Sequence, residues 1–272
     1  MSVRKSSYTS GRGIHGEPAY VLHRYEWSES SLILELFTRN HGRLAAAAKG
    51  VRKPASAFRS VLLPFQPLLI SLGSQAEIRS LRGAEWAGGY AMPTGEPLIV
   101  SYYMNELLLR LLARDDVQPL VFDAYAQTLA VIAGNCGEKL VQPMLRAFEL
   151  VLLKATGVLP ALDVETMTLR PLQAQGFYTL DPESGLVLSS LGRGEDAGPD
   201  YDRSLSVLPA TQWLAINAAL ESSDVLQQLP LAVQSLPNSL KLMLRAMLNH
   251  HAGVASLKTR QLMQALQKRT FS

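Results

Sequence analysis

Between Pro18 and Arg82 the apolar residues come in short runs broken by turn residues, and after Gly83 the spacing changes to threes and fours. Short runs of that kind bury one side as strands, so the first stretch has to pair with itself as a sheet. The runs are 19–25, 31–37, 43–51, 67–72 and 76–81, the last two meeting across Gly73-Ser74. Five short strands with a Pro-flanked insert between the third and fourth predict a small barrel of the OB type. The weakest of them is 43–51, because Ala45 to Ala48 would also suit a helix. Its shortness and the stops at Gly50 and Pro54 favour a strand.

The later spacing predicts helices over 96–113, Pro119–Ala133 and 141–156, with Pro at the start of the first two and Gly after the last two. A hairpin is expected where 177–180 and 186–188 flank Asp181-Pro182-Glu183-Ser184-Gly185. Further helices are expected over 210–220, 239–250 and 258–269. The class is α+β, divided into a flexible basic arm (1–17), the barrel (18–83), a helical domain (84–160), a hairpin region (161–204) and C-terminal helices (205–272). Gly11 to Gly16 spells G-x-G-x-x-G, but a polar tail precedes it where a dinucleotide site needs a strand, so it carries no cofactor.

Charge is distributed unevenly. Residues 1–80 carry a net +6, residues 81–236 a net −9 and residues 237–272 a net +6 with no acid at all. A polyanion would be drawn to the two ends. The single cysteine, Cys136, excludes an internal disulfide and any cysteine-based zinc site. The polar N-terminus has no apolar signal core, and no run is long enough to span a bilayer, so a cytoplasmic protein without a membrane partner is expected.

The densest basic feature is 38–54, seventeen residues with five cations (Arg39, Arg43, Lys49, Arg52, Lys53) and no acid. Asn40-His41-Gly42 supplies a hairpin turn inside it. Such a hairpin suits phosphates, with Arg24 and Arg59 in support and Trp27 placed to stack a base. Tyr25 could stack too, but packing into the core would explain it equally, and a solvated charged loop would account for the cluster itself. Catalytic patterns are missing: there is no Gly-Lys-Ser/Thr phosphate loop, no G-x-S-x-G and no H-E-x-x-H. The acidic pairs Asp115-Asp116 and Glu195-Asp196 read as solubilising. A binding protein is expected, not an enzyme, and no cofactor or metal.

The order and spacing of several short stretches resemble the bacterial RecO recombination mediators. They are Tyr20-Val21-Leu22-His23, residues 29–38, His41-Gly42-Arg43, residues 48–52 and 63–68, then Tyr103-Met104-Asn105-Glu106-Leu107 and Arg146-Ala147-Phe148-Glu149-Leu150. The resemblance implies an OB-fold, a helical domain and a C-terminal region returning to the helices. It also implies binding of single- and double-stranded DNA, strand annealing, engagement of the C-terminal tail of single-stranded-DNA-binding protein (SSB), and loading of RecA together with RecR, at the nucleoid. In that frame Arg146 matches the basic position of the tail-binding helix, with Leu150 and Lys154 assisting. Lys258, Arg260, Lys268 and Arg269 offer a second DNA surface, although macrodipole compensation explains Lys268 and Arg269 as well. Many relatives carry a four-cysteine zinc module after the helices. Here that region has no cysteine, so no zinc is expected. The competing readings are an OB-fold nuclease and an RNA-binding module.

Overall fold

The computed structural model describes residues 13–134, 137–189 and 207–270. The arm through residue 12, Cys136 and the polar stretch 192–202 lie outside the described residues. The elements are β1 (Ile14–Glu26), β2 (Leu32–Thr38), β3 (Gly42–Ala48), β4 (Leu68–Leu72), β5 (Ile78–Trp86), α1 (Glu96–Leu111), α2 (Pro119–Ala133), α3 (Glu138–Ala155), β6 (Phe177–Asp181), β7 (Gly185–Leu188), β8 (Leu208–Pro209), α4 (Ala210–Glu221), α5 (Val225–Val233), α6 (Pro237–His251) and α7 (Lys258–Thr270). They form two compact units. One contains the chain up to Met92 together with Ala113–Phe122, and the other Pro93–Leu112 and everything from Asp123 on.

The first unit is a closed barrel in the order β1-β2-β3-β5-β4. The thirteen-residue β1 makes closure possible, pairing with β4 along its first half and with β2 along its second, with a register shift between Val21 and His23. Closure is completed by a parallel contact of β3 with β5, Ala45 to Ala47 opposite Ile78 to Ser80. Ala19, Val21, Leu34, Leu36, Leu44, Ala46, Ala48, Leu68, Ile70 and Leu72 fill the interior. The alanine run is thus a strand. Alanine has little intrinsic strand preference, but burial on both faces overrides propensity here, since Ala45 to Ala48 are all at most 5% exposed. The first strand starts at Ile14, not near Pro18. Ile14 pairs with Leu72, and buried Glu17 accepts from the amide (2.6 Å) and side chain (3.2 Å) of Asn40, so these residues belong to the sheet and not to an arm.

Residues 113–122 complete this unit. The Asp115 amide donates to the Arg43 carbonyl (2.9 Å), Arg114 pairs with the buried Glu35 carboxylate, and Phe122 packs its ring 5.4 Å from both Tyr20 and Phe37. At the hairpin turn Gly42 has φ +69°, and a Cβ there would meet the Asp116 carbonyl oxygen at 2.1 Å. Gly42→Ala is therefore expected to cost at least about 2 kcal/mol, from left-handed strain and displacement of that backbone. Denaturant unfolding measures it; an unchanged midpoint would contradict the close approach.

In the second unit α1 buries Met104, Leu107 and Leu108, the three- and four-residue spacing of an amphipathic helix. Each buried leucine contributes roughly 2 kcal/mol. Buried Tyr125 donates its hydroxyl to Asn105 (2.6 Å), so the polar atom taken into this core is satisfied. The expected hairpin is present as β6 and β7, extended by β8 in the order β7-β6-β8. Fully buried Trp213 on α4 donates its indole N–H to the Tyr178 carbonyl (3.2 Å). Helix α5, with Pro230 inside it, has no counterpart in the sequence reading.

Candidate nucleic-acid interface and a cationic pocket

The hairpin of β2 and β3 divides the basic stretch in two. Thr38 opposes Gly42 at the turn, and Leu32 opposes Ala48 at the base. Arg39 and Arg43 therefore lie at one end, and Lys49, Arg52 and Lys53 at the other, roughly 20 Å away along the strands. The turn is tightly tied. Arg39 N–H donates to the Pro18 carbonyl (3.0 Å), the Thr38 hydroxyl donates to the Gly42 carbonyl (2.7 Å), and Glu17 sits 3.4 Å from His41 Nδ1. That carboxylate offsets the positive charge of the turn.

The base of the hairpin is more open. The Arg52 amide donates to the Ser30 carbonyl (3.0 Å), which sets the exit of β3 against the β1–β2 turn that carries Trp27. Trp27 is 57% and Tyr25 47% exposed, so neither is a core aromatic. Lys49, Arg52, Lys53 and Arg59 are exposed as well. Arg52 has one acidic neighbour, Glu26 at 3.4 Å, in a solvent-exposed pair. Such pairs are worth at most about 1 kcal/mol and a phosphate can displace them. Arg24 holds the insert by donating to the Leu62 carbonyl (3.4 Å). Flat aromatic faces beside exposed cations are what a sequence-tolerant single-strand site needs.

The second unit holds a pocket of about 240 Å³. Its apolar lining includes Val100, Leu145, Leu248, Leu257 and Met263, and its cations are Arg146, Lys241, Arg245 and Arg260. Arg146 lies at depth, only 4% exposed, and its guanidinium meets the fully buried Glu149 carboxylate at 2.9 Å. The Tyr103 hydroxyl donates to the same carboxylate (2.7 Å). Burial pushes the Glu149 carboxyl up, and the Arg146 charge pulls it back. Burial, with Glu149 beside it, also pushes the Tyr103 hydroxyl well up, which keeps it a donor. The side chain of Arg146 is thereby fixed from below, and the pocket lining contains no acid. An apolar cleft rimmed by cations suits an anionic group attached to apolar ones.

The sequence candidates around this pocket fall apart in an informative way. Leu150 is fully buried in the helical core, where nothing from outside can touch it. Lys154 donates to the Leu220 carbonyl (2.8 Å) and pairs with Glu221 (2.9 Å), and it does not line the pocket. Arg260, grouped by sequence with a DNA surface, faces the same cavity as Arg146. Lys258 is exposed at the start of α7, and the side chains of Lys268 and Arg269 lie outside the described residues. Lys241 and Arg245 were missed. Their signal was the acid-free C-terminus, but only the fold shows that they turn towards Arg146.

A zinc module does not fit residues 162–188, which contain neither cysteine nor histidine. The region is held instead by Thr166, whose hydroxyl accepts from the Leu186 amide (2.8 Å), and by Tyr178, whose hydroxyl accepts from the Gln173 amide (2.8 Å). Among the described residues no three His, Cys, Asp or Glu side chains are grouped to hold a metal, and no helix is long and apolar enough to cross a membrane.

A closed five-stranded barrel of OB type, followed by helices and a small sheet, defines an α+β protein of the OB-barrel class. Comparison with known families narrows this. Residues 14–90 match the family described as Recombination protein O N terminal, and residues 93–261 match Recombination protein O C terminal. A DNA repair protein RecO from Variovorax paradoxus (strain S110) is 52% identical over 258 residues, covering 92% of this chain and 96% of that protein. Another from Acidovorax ebreus (strain TPSY) is 48% identical over 272 residues, covering 95% and 99%. The chain belongs to the RecO family of DNA repair and recombination proteins.

Proposed function

We propose that this chain is a non-catalytic recombination mediator that binds and anneals DNA, engages the C-terminal tail of SSB and, with RecR, promotes RecA loading during recombinational repair. DNA strands lie against the hairpin base, with Lys49, Arg52, Lys53 and Arg59 on phosphates and Trp27 stacked on a base. Arg24 supports the insert, and Arg39 and Arg43 extend the path towards the turn. Lys258 and the C-terminal cations add a second surface for the complementary strand. The observation that carries the partner half of this reading is the pocket. The tail's apolar residues fill the cleft over Leu145 and Leu248, and its terminal carboxylate meets Arg146.

The test is annealing of complementary strands coated with SSB. Annealing is expected with intact SSB and is expected to be at least tenfold slower when its tail is deleted. Equal rates with and without the tail would overturn the pocket's role. Failure to anneal even bare strands would overturn the mediator reading.

A further inference from the structure

Four of the pocket's thirteen lining residues, Leu257, Arg260, Met263 and Gln264, come from α7 or the residue before it. Among its described residues, this wall has large apolar side chains that are open to solvent. Leu262 and Leu266 on α7 are 52% and 42% exposed, and Leu257 is the buried anchor at its foot. What fixes its beginning is a side chain from another helix. Glu106 on α1 accepts from the Lys258 amide (3.0 Å), the Thr259 amide (2.9 Å) and the Thr259 hydroxyl (2.8 Å), while Arg110 donates to it from the next turn (3.1 Å).

The first amides of a helix have no partners within it, and a carboxylate there also meets the positive end of the helix dipole. In most helices a residue of the same chain segment supplies that cap. Here it arrives from 152 and 153 residues away in sequence, from the helix that also contributes Val100 and Tyr103 to the pocket. One carboxylate thus joins two walls of one cavity.

We infer that Glu106 is a positioning residue for this pocket: it latches the start of α7 to α1 and so sets Arg260 and Met263 at the mouth. The inference rests on the tail-binding reading for its ligand, but the latch can be measured without any ligand. Arg260 lies one residue beyond Thr259, so loss of the cap frees the outer cation first. Buried Arg146 keeps its own partner, Glu149, so its position does not depend on Glu106.

The experiment uses the full chain with Glu106→Gln, whose amide can replace one accepting oxygen but not both. Thr259→Val serves as a milder second variant, removing only the hydroxyl donor. Two probes are titrated: a fluorescein-labelled peptide of acidic residues ending in apolar residues with a free carboxylate, and the same peptide amidated. Hydrogen exchange is followed over 257–266. Glu106→Gln is expected to lose protection at Lys258 and Thr259 by roughly threefold to thirtyfold, the range for losing a helix cap. It is also expected to bind the free-carboxylate peptide more weakly by a similar factor, with a smaller preference over the amidated one. Thr259→Val should show smaller changes in the same direction.

Unchanged exchange and unchanged peptide affinity in Glu106→Gln would overturn the latch. Faster exchange with unchanged affinity would also overturn it, leaving Glu106 a mere cap. If the wild-type protein binds neither peptide while exchange in Glu106→Gln rises only over 257–266, the latch stands and the tail-binding reading falls.

Discussion

Replacing Lys49, Arg52 and Lys53 together by alanine is expected to reduce the slope of log K against log salt for single-stranded DNA by about 2, because each phosphate contact contributes about 0.7. The three cations share one end of the β2–β3 hairpin with Trp27, and their side chains are exposed. Replacing Arg39 and Arg43 is expected to reduce it less. Those residues are about six strand positions away, beside Glu17 and the tied turn. The fold of the triple variant should be intact, since exposed charges rarely change stability by more than about 0.5 kcal/mol. Equal slopes for the triple variant and wild type would remove DNA from this face. A larger fall for Arg39 and Arg43 would move the strand to the turn.

Arg146 has the larger consequence for a single position. Arg146→Ala leaves Glu149 buried without its cation and is expected to cost about 3 kcal/mol of stability, as for other broken buried pairs. Lost tail binding in that variant could then reflect a loosened helix. Arg146→Met combined with Glu149→Gln removes both charges, and most of the stability is expected to return. Affinity for the acidic, apolar-ended peptide should stay at least tenfold below wild type, while the salt slope for DNA stays unchanged. Recovery of peptide binding in the double variant would show that Arg146 is structural and that Lys241, Arg245 and Arg260 hold the anion.

Much of this architecture was legible in the residues because its signals are local. Period-two runs, a left-handed Gly42 and Pro–Gly punctuation gave five strands and six of the seven described helices. Helix α5 carries Pro230 in its interior, which lowers its local helix signal, and buried Val225, Leu229 and Val233 hold it in place. The sites were less legible, for opposite reasons. Cations close in sequence were separated by the hairpin, since six residues of strand carry Arg43 away from Lys49. Cations far apart in sequence, Arg146 and Lys241 among them, were brought together by helix packing. Leu150 and Lys154 follow from the resemblance at the helix of Arg146, but one is buried in the core and the other is occupied by α4.

The return of residues 113–122 to the barrel has a consequence for synthesis. Strand β5 ends at Trp86, yet Arg114, which pairs with buried Glu35, and Phe122, which packs against Tyr20 and Phe37, come later in the chain. A ribosome releasing the chain from the N-terminus therefore exposes all five strands before the piece that seals them, and helix α1 emerges in between. A fragment cut at residue 92 would lack the Arg114 partner of Glu35 and the Phe122 ring beside Tyr20 and Phe37, so the independently stable barrel should extend to residue 122.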